Sequence, residues 1–182
     1  MAYIDSDPYL DVVIAAPQQD VGTRIHQGRV YIFWGPWNAL APIPYASYTV
    51  LDVESGDVDS GTNHGGKFGS SISIGPLDDQ GGPDIAVGAP YADDVSISPS
   101  MQEAGAVDLF LNPPKAPGSL FRHTHLYQQP GQRDAHNNFG WALAIGEFGN
   151  SAGAPVLGDV VIGAPGTLRA AASRCSRLVM YR

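Results

Sequence analysis

Eleven residues, Gly61 to Ser71, read GTNHGGKFGSS. Gly61, four further residues and then Gly66-Lys67 come close to the phosphate loop G-x-x-x-x-G-K-[ST]. In that loop backbone N–H groups cradle phosphates and the Lys neutralises them. The loop also needs Ser or Thr after the Lys to hold Mg²⁺, and a helix whose N-terminus faces the phosphates. Here Phe68 follows Lys67. Ser70 to Ile74 then alternates small polar residues with Ile, which is the period of a strand. Phosphate binding is therefore not expected.

The other reactive side chains are scattered. The five histidines are His26, His64, His123, His125 and His136. His123-Thr-His125 places two imidazoles on one face of a strand, an arrangement that metals use. No third ligand is evident in the sequence, and exposed strand histidines are the expected reading. No G-x-S-x-G elbow, H-E-x-x-H or C-x-x-C is present, and no serine has a recognisable nucleophile context. Trp34-Gly-Pro-Trp37 could form a stacking platform at a loop tip. Burial against a core edge is the stronger expectation, because Trp is usually mostly buried.

Composition narrows the function classes. The chain has 182 residues, of which 43% are hydrophobic, so one domain-sized core is within reach. Gly (22) and Pro (15) are abundant and evenly spread. Both weaken helix interiors, so many short elements joined by turns are expected. The net charge of −8 disfavours nucleic acid, which needs a basic surface. A single cysteine, Cys175, rules out an internal disulfide framework. No apolar run is long enough for a membrane-spanning helix, and the start MAYIDSDPYLD has no signal-peptide pattern.

The strongest signal is internal repetition. Asp11-Val-Val-Ile-Ala-Ala-Pro17, Asp84-Ile-Ala-Val-Gly-Ala-Pro90 and Asp159-Val-Val-Ile-Gly-Ala-Pro165 align without a gap, their aspartates 73 and 75 residues apart. Lys67-Phe-Gly-Ser-Ser-Ile-Ser-Ile-Gly75 matches Asn138-Phe-Gly-Trp-Ala-Leu-Ala-Ile-Gly146. Gly28-Arg-Val-Tyr-Ile-Phe33 matches Gly105-Ala-Val-Asp-Leu-Phe110, and more weakly Ser176-Arg-Leu-Val-Met-Tyr181. Each phrase reads as a short strand. A fourth strand is expected at Tyr45 to Val53 and at Leu120 to Gln128. Leu168 to Arg177 has helical propensity but no apolar stripe. Four-stranded units at a fixed period predict an all-β protein, a β-propeller of about two and a half blades. The blades are expected at residues 1–66 (strands two to four), 67–137 (complete) and 138–182 (strands one to three).

Phe68-Gly69 with Gly88-Ala89-Pro90, and Phe139-Gly140 with Gly163-Ala164-Pro165, resemble FG-GAP repeats. The resemblance covers Asp5 to Tyr181, with Ala15 replacing Gly in the first repeat. Such repeats build the seven-bladed propeller of integrin α chains and part of glycosylphosphatidylinositol-specific phospholipase D. The resemblance implies that this chain supplies part of a larger ring. Alone, its open sheet edges would favour instability or self-association. The segment Thr167 to Cys175 departs from the corresponding loop, which also fits a truncated gene product.

The resemblance further implies calcium. In this family the hairpin between the first and second strands often carries D-x-D-x-D-G-x-x-D. Ca²⁺ takes six to eight oxygens, and alternate positions of a tight loop can supply several. In the first repeat Asp5, Asp7, Tyr9 and Asp11 fall at positions three, five, seven and nine, but Tyr3 and Pro8 replace the Asp and Gly. In the second only Asp78 and Asp84 fit, and the third loop, Glu147 to Asp159, does not match. The alternative is that these are turn residues and that the last Asp holds the hairpin closed.

The expected function is a non-catalytic propeller module that binds a protein or matrix partner at the cell surface or outside the cell. The candidate contact loops are Pro36 to Pro44 and Tyr91 to Gln102. The remaining blades of a parent chain are the other expected partner, and direct membrane insertion is not expected. The alternative is an accessory propeller of a phospholipase D-like hydrolase whose catalytic zinc domain lies elsewhere.

Overall fold

The computed structural model describes residues 2–5, 7–36, 48–52, 65–78, 82–94, 101–113, 122–128, 134–148, 158–166 and 177–181. At Arg122 and 177–181 only the backbone is described. The described residues contain strands and turns and no helix. In chain order the strands are β1 (Val12–Ala16), β2 (Arg29–Phe33), β3 (Tyr48–Leu51), β4 (Ser71–Gly75), β5 (Asp84–Ala89), β6 (Ala106–Leu111), β7 (Arg122–Leu126), β8 (Ala142–Gly146), β9 (Asp159–Ala164) and β10 (Arg177–Tyr181). The Asp-led and Gly-led phrases become strands within a residue or two of their expected bounds, whereas Lys67–Gly75 and Asn138–Gly146 become strand only from Ser71 and Ala142. β3 and β7 fall within the two expected fourth strands; Asp52, Tyr127 and Gln128 lie beyond their ends, and residues 45–47, 53, 120 and 121 lie outside the described residues. Arg177, the last residue of the helix candidate, opens β10, and the rest of that segment lies outside the described residues.

Three antiparallel sheets result, in the orders β1-β2-β3, β4-β5-β6-β7 and β10-β9-β8. Alternation along β5 shows how they stack. Every residue of β5 is buried. Ile85, Val87 and Ala89 enter a core shared with Val30, Ile32, Trp34 and Leu51 of the first sheet. Ala86, on the opposite face, enters a second core with Val107, Phe139, Val160 and Ile162, shared with the third sheet. A strand buried on both faces reads as an almost continuous apolar run, which explains Asp84-Ile-Ala-Val-Gly-Ala-Pro90. The middle sheet is thus a layer between two others, as expected of a propeller blade. Within the second stack, β4 lies against β8. Ser71 Oγ donates to the Gly140 carbonyl at 2.6 Å, and the Ile145 N–H donates to Ser73 Oγ at 2.9 Å.

The Phe-Gly segments stitch neighbouring sheets together. Phe68 N–H donates to the Gln27 carbonyl at 3.0 Å, and Lys67 N–H to His26 at 3.1 Å. One repeat later, Phe139 N–H donates to Ala104 at 2.9 Å and Asn138 N–H to Glu103 at 3.1 Å. Both phenyl rings are fully buried. The following glycines close a second link. Gly69 N–H donates to the Gly88 carbonyl at 3.0 Å, and Gly140 N–H to Gly163 at 3.1 Å. The Gly of Gly-Ala-Pro is therefore the acceptor for the Gly of Phe-Gly. At Gly88 a side chain would collide with the Gly140 carbonyl of the next sheet.

Candidate functional site

The sequence-predicted site residues lie mainly in the hairpin loops before β1, β5 and β9. The closing aspartates Asp11, Asp84 and Asp159 are all buried. Asp11 Oδ2 accepts from Ile4 N–H at 2.8 Å, and its Oδ1 accepts from Gly35 N–H at 3.0 Å. Asp84 repeats the arrangement. Its Oδ2 accepts from Leu77 and Asp78 N–H at 2.7 and 3.2 Å, and its Oδ1 from Asn112 N–H at 2.9 Å. Asp159 Oδ2 accepts from Phe148 N–H at 3.0 Å. In the first two repeats one carboxylate holds both the start of the hairpin loop and the chain leaving the third strand. A buried charge is tolerated when several N–H donors satisfy it. In this arrangement the carboxylates close their loops.

Asp5 and Asp7 form local turns. Asp7 N–H donates to Asp5 Oδ1 at 3.0 Å, and Tyr9 N–H to Asp7 Oδ1 at 2.9 Å. These are Asx turns, in which an Asp side chain accepts from the backbone two residues on. The Tyr9 side chain is exposed. Asp78 approaches Asn112 Nδ2 at 3.5 Å. Among the described residues no group of three His, Cys, Asp or Glu side chains is placed to hold a metal ion.

The histidine expectation is corrected. His123 and His125 are not exposed strand residues, since their side chains retain only 11% and 14% of their accessible surface. Pairing of β6 with β7 sets Asp108 opposite His125 and Phe110 opposite His123. Asp108 Oδ1 then lies 2.6 Å from His123 Nε2 and 2.7 Å from His125 Nδ1. Burial pushes the Asp108 carboxyl up, but hydrogen bonds and charge from the two imidazoles outweigh it, so it lies below the usual carboxylate range. The missing partner of His123 and His125 was an aspartate in the neighbouring strand. Its one sequence signal is that Asp108 stands where the first repeat has Tyr31.

The tryptophan pair is also resolved in part. Trp34 is buried and its indole N–H donates to Thr49 Oγ1 at 2.9 Å, so it belongs to the core edge. Trp37 lies outside the described residues. The loop from Tyr91 to Gln102 is described at both ends, where Asp94 and Met101 exchange backbone hydrogen bonds of 2.9 and 3.1 Å. Of the loop Pro36 to Pro44 only Pro36 is described. The apparent phosphate loop is excluded by the backbone. After Lys67 the chain makes a turn, closed by Ser70 N–H on the Lys67 carbonyl at 3.1 Å, and enters β4 rather than a helix. Lys67 Nζ sits 3.9 Å from the centre of the Tyr91 ring.

No known family profile matches the chain. Curated relatives do. Over 164 residues, 90% of this chain, it is 31% identical to phosphatidylinositol-glycan-specific phospholipase D of Bos taurus and 30% identical to that of Homo sapiens. It is 29% identical over 168 residues to integrin alpha-PS5 of Drosophila melanogaster. These similarities are consistent with an FG-GAP repeat propeller. Within this chain the repeated Phe-Gly and Gly-Ala-Pro phrases are joined to each other in the stacked sheets. The chain spans 18% of the length of either phospholipase relative and 14% of the integrin, so it corresponds to a part and not to the whole of either.

The stacked sheets explain the repeated phrases. Phe fills the inter-sheet core, and the two glycines allow backbone to pass backbone. The closing Asp satisfies loop N–H groups. Among the described residues no helix is long and apolar enough to cross a membrane.

Proposed function

We propose that this chain is a non-catalytic FG-GAP propeller module that presents loops to a protein or matrix partner outside the cell or at its surface. The observation that carries this reading is the employment of its polar groups. The buried closing aspartates accept from loop N–H groups, and Asp108 is engaged by two histidines. None of these groups is arranged as a nucleophile with a base, which acyl or phosphoryl chemistry would need. The blade boundaries at residues 66/67 and 137/138 belong to the same reading. So do docking of further blades on the outer faces and calcium at Asp5, Asp7, Tyr9 and Asp11, with Asp78 and Asp84 as a weaker pair.

A second reading is favoured by the phospholipase relatives, which match 90% of this chain. In it the module accompanies a catalytic domain that releases glycosylphosphatidylinositol-anchored proteins, and it positions that domain on its substrate. One pair of assays separates the two. The purified chain is incubated with a glycosylphosphatidylinositol-anchored reporter and, separately, with immobilised collagen, laminin and fibronectin. Saturable binding to a matrix protein without anchor cleavage supports the adhesion module. Binding only to the anchored reporter supports the accessory module, and anchor cleavage by this chain alone overturns both.

A further inference from the structure

The His123–Asp108–His125 cluster has no counterpart in the first repeat. Its positions correspond there to Tyr48, Tyr31 and Val50, because Tyr31 pairs with Val50 and Phe33 with Tyr48 as Asp108 pairs with His125 and Phe110 with His123. In the first sheet Tyr31, Phe33 and Tyr48 form an aromatic cluster with ring centres 5.7–6.2 Å apart. The fold therefore accepts an uncharged solution at this place. The middle sheet instead holds a fully buried carboxylate. Its Oδ1 takes both imidazoles, while its Oδ2 has no hydrogen-bond partner among the described residues. The imidazoles are fixed by neighbouring rings. His123 stacks on Phe110 at 4.7 Å and 9°, and His125 meets Tyr127 edge-on at 4.5 Å.

Alternation places Asp108 on the same face as Ala106 and Phe110, which belong to the core shared with the first sheet. On that face β7 contributes His123 and His125, followed by Tyr127. The facing positions of β1 to β3, and of β4 and β5, carry apolar side chains and Thr49. The nearest charged pair of the first sheet, Arg29 with Asp52 at 3.0 Å, falls on the other face of that sheet by the same alternation. Asp108, His123, His125 and Tyr127 are therefore the titratable groups on the described strands of this seam; the buried Asp11, which precedes β1 on the face of Val13 and Ala15, is held by the Ile4 and Gly35 N–H groups.

Charge counting then sets the behaviour. With both imidazoles neutral the cluster carries one negative charge. One added proton makes it neutral, and a second makes it positive. A buried, hydrogen-bonded neutral unit is cheaper than either net charge in a low-dielectric seam. We propose that this cluster is a proton-sensitive clasp, which tightens the packing of the first and middle sheets when it holds one extra proton and loosens it at higher and at lower pH.

The sign follows from linkage. Where the folded chain binds the proton and the unfolded chain does not, stability falls as pH rises. Where the folded chain resists the second proton, stability falls as pH falls. The intact chain should therefore show a maximum of melting temperature inside the range where histidines titrate, about pH 5 to 8. Folding on the alkaline side of that maximum should take up about one proton. His136, exposed and 3.0 Å from Glu103, provides the control. His136→Gln should keep the maximum. Asp108→Asn removes the negative charge, so the first proton is already unfavourable, and stability should fall steadily as pH is lowered.

The test is differential scanning calorimetry of the wild-type chain across this range, with these two variants and His125→Gln. The wild-type curve alone decides the proposal if a variant does not fold. A flat wild-type profile, or one rising steadily with pH, overturns the proposal. So does a maximum unchanged in Asp108→Asn and His125→Gln. A zinc-dependent rise in melting temperature that needs His123 and His125 also overturns it and makes the cluster a metal site.

Discussion

Gly105 and Phe139 belong to successive repeats, yet their backbones pass so closely that a Cβ on Gly105 would strike the Phe139 amide nitrogen and carbonyl oxygen. Gly28 and Phe68 repeat the contact one sheet earlier. Both glycines have φ near +84° (83° and 84°), a region that L side chains rarely adopt. Gly105→Ala should thus combine backbone strain with a collision, and it should destabilise the chain by at least about 2 kcal/mol. Urea unfolding checks this, and a change within experimental error would remove the seam argument at that position.

Phe139 and Phe68 are fully buried at equivalent places in the two inter-sheet cores. Either Phe→Ala change should lower stability by about 3–5 kcal/mol, through lost burial and the cavity left behind. Lys67→Ala in the same stretch should cost about 1 kcal/mol, the scale of a half-exposed cation–π contact. Denaturant midpoints of the three variants, compared side by side, test this order.

The closing aspartates should matter without metal. Asp84→Ala leaves the Leu77, Asp78 and Asn112 N–H groups without their acceptor. An orphaned buried donor costs about 1–3 kcal/mol, and these donors are only half-buried, so a total loss of about 1–3 kcal/mol is expected. If closure alone is their role, the same melting temperature should be found in millimolar calcium and in EDTA. A calcium-dependent rise that Asp7→Ala abolishes would instead establish the loop of Asp5, Asp7, Tyr9 and Asp11 as a calcium site.

Asp108 should give the chain an acid-sensitive component. Its carboxyl lies below the ordinary range, chiefly through His123 and His125 working against burial. A group held low in the folded state stabilises above its unfolded value, about 3.9, and that contribution fades as pH falls through the folded value. The stability difference between wild type and Asp108→Asn should therefore shrink below about pH 4. A difference that stays constant there would show that Asp108 does not contribute through its charge.

Much of this was legible in the sequence, for physical reasons. Strands buried on one or both faces leave period-two or continuous apolar patterns, and Ser71 to Gly75 and Asp84 to Ala89 became strands where the pattern put them. The closing role of Asp11 and Asp84 was legible because their loops repeat. What escaped was the register between β6 and β7. Asp108 and His125 are 17 residues apart, and their pairing depends on the connection between the strands, which no local pattern encodes. The burial of Trp34 was expected, but its hydrogen-bond partner escaped for a similar reason. Its partner Thr49 lies 15 residues away, on the strand beside its own.

The central claim is that the repeated Phe-Gly and Gly-Ala-Pro phrases exist to join one sheet to the next. Amide hydrogen exchange on the native chain tests it most directly. The N–H groups of Phe68, Gly69, Phe139 and Gly140, all donors across or beside a seam, should exchange as slowly as the amides of β5, through global unfolding only. Exchange of these four at the rate of exposed loop amides would contradict the account.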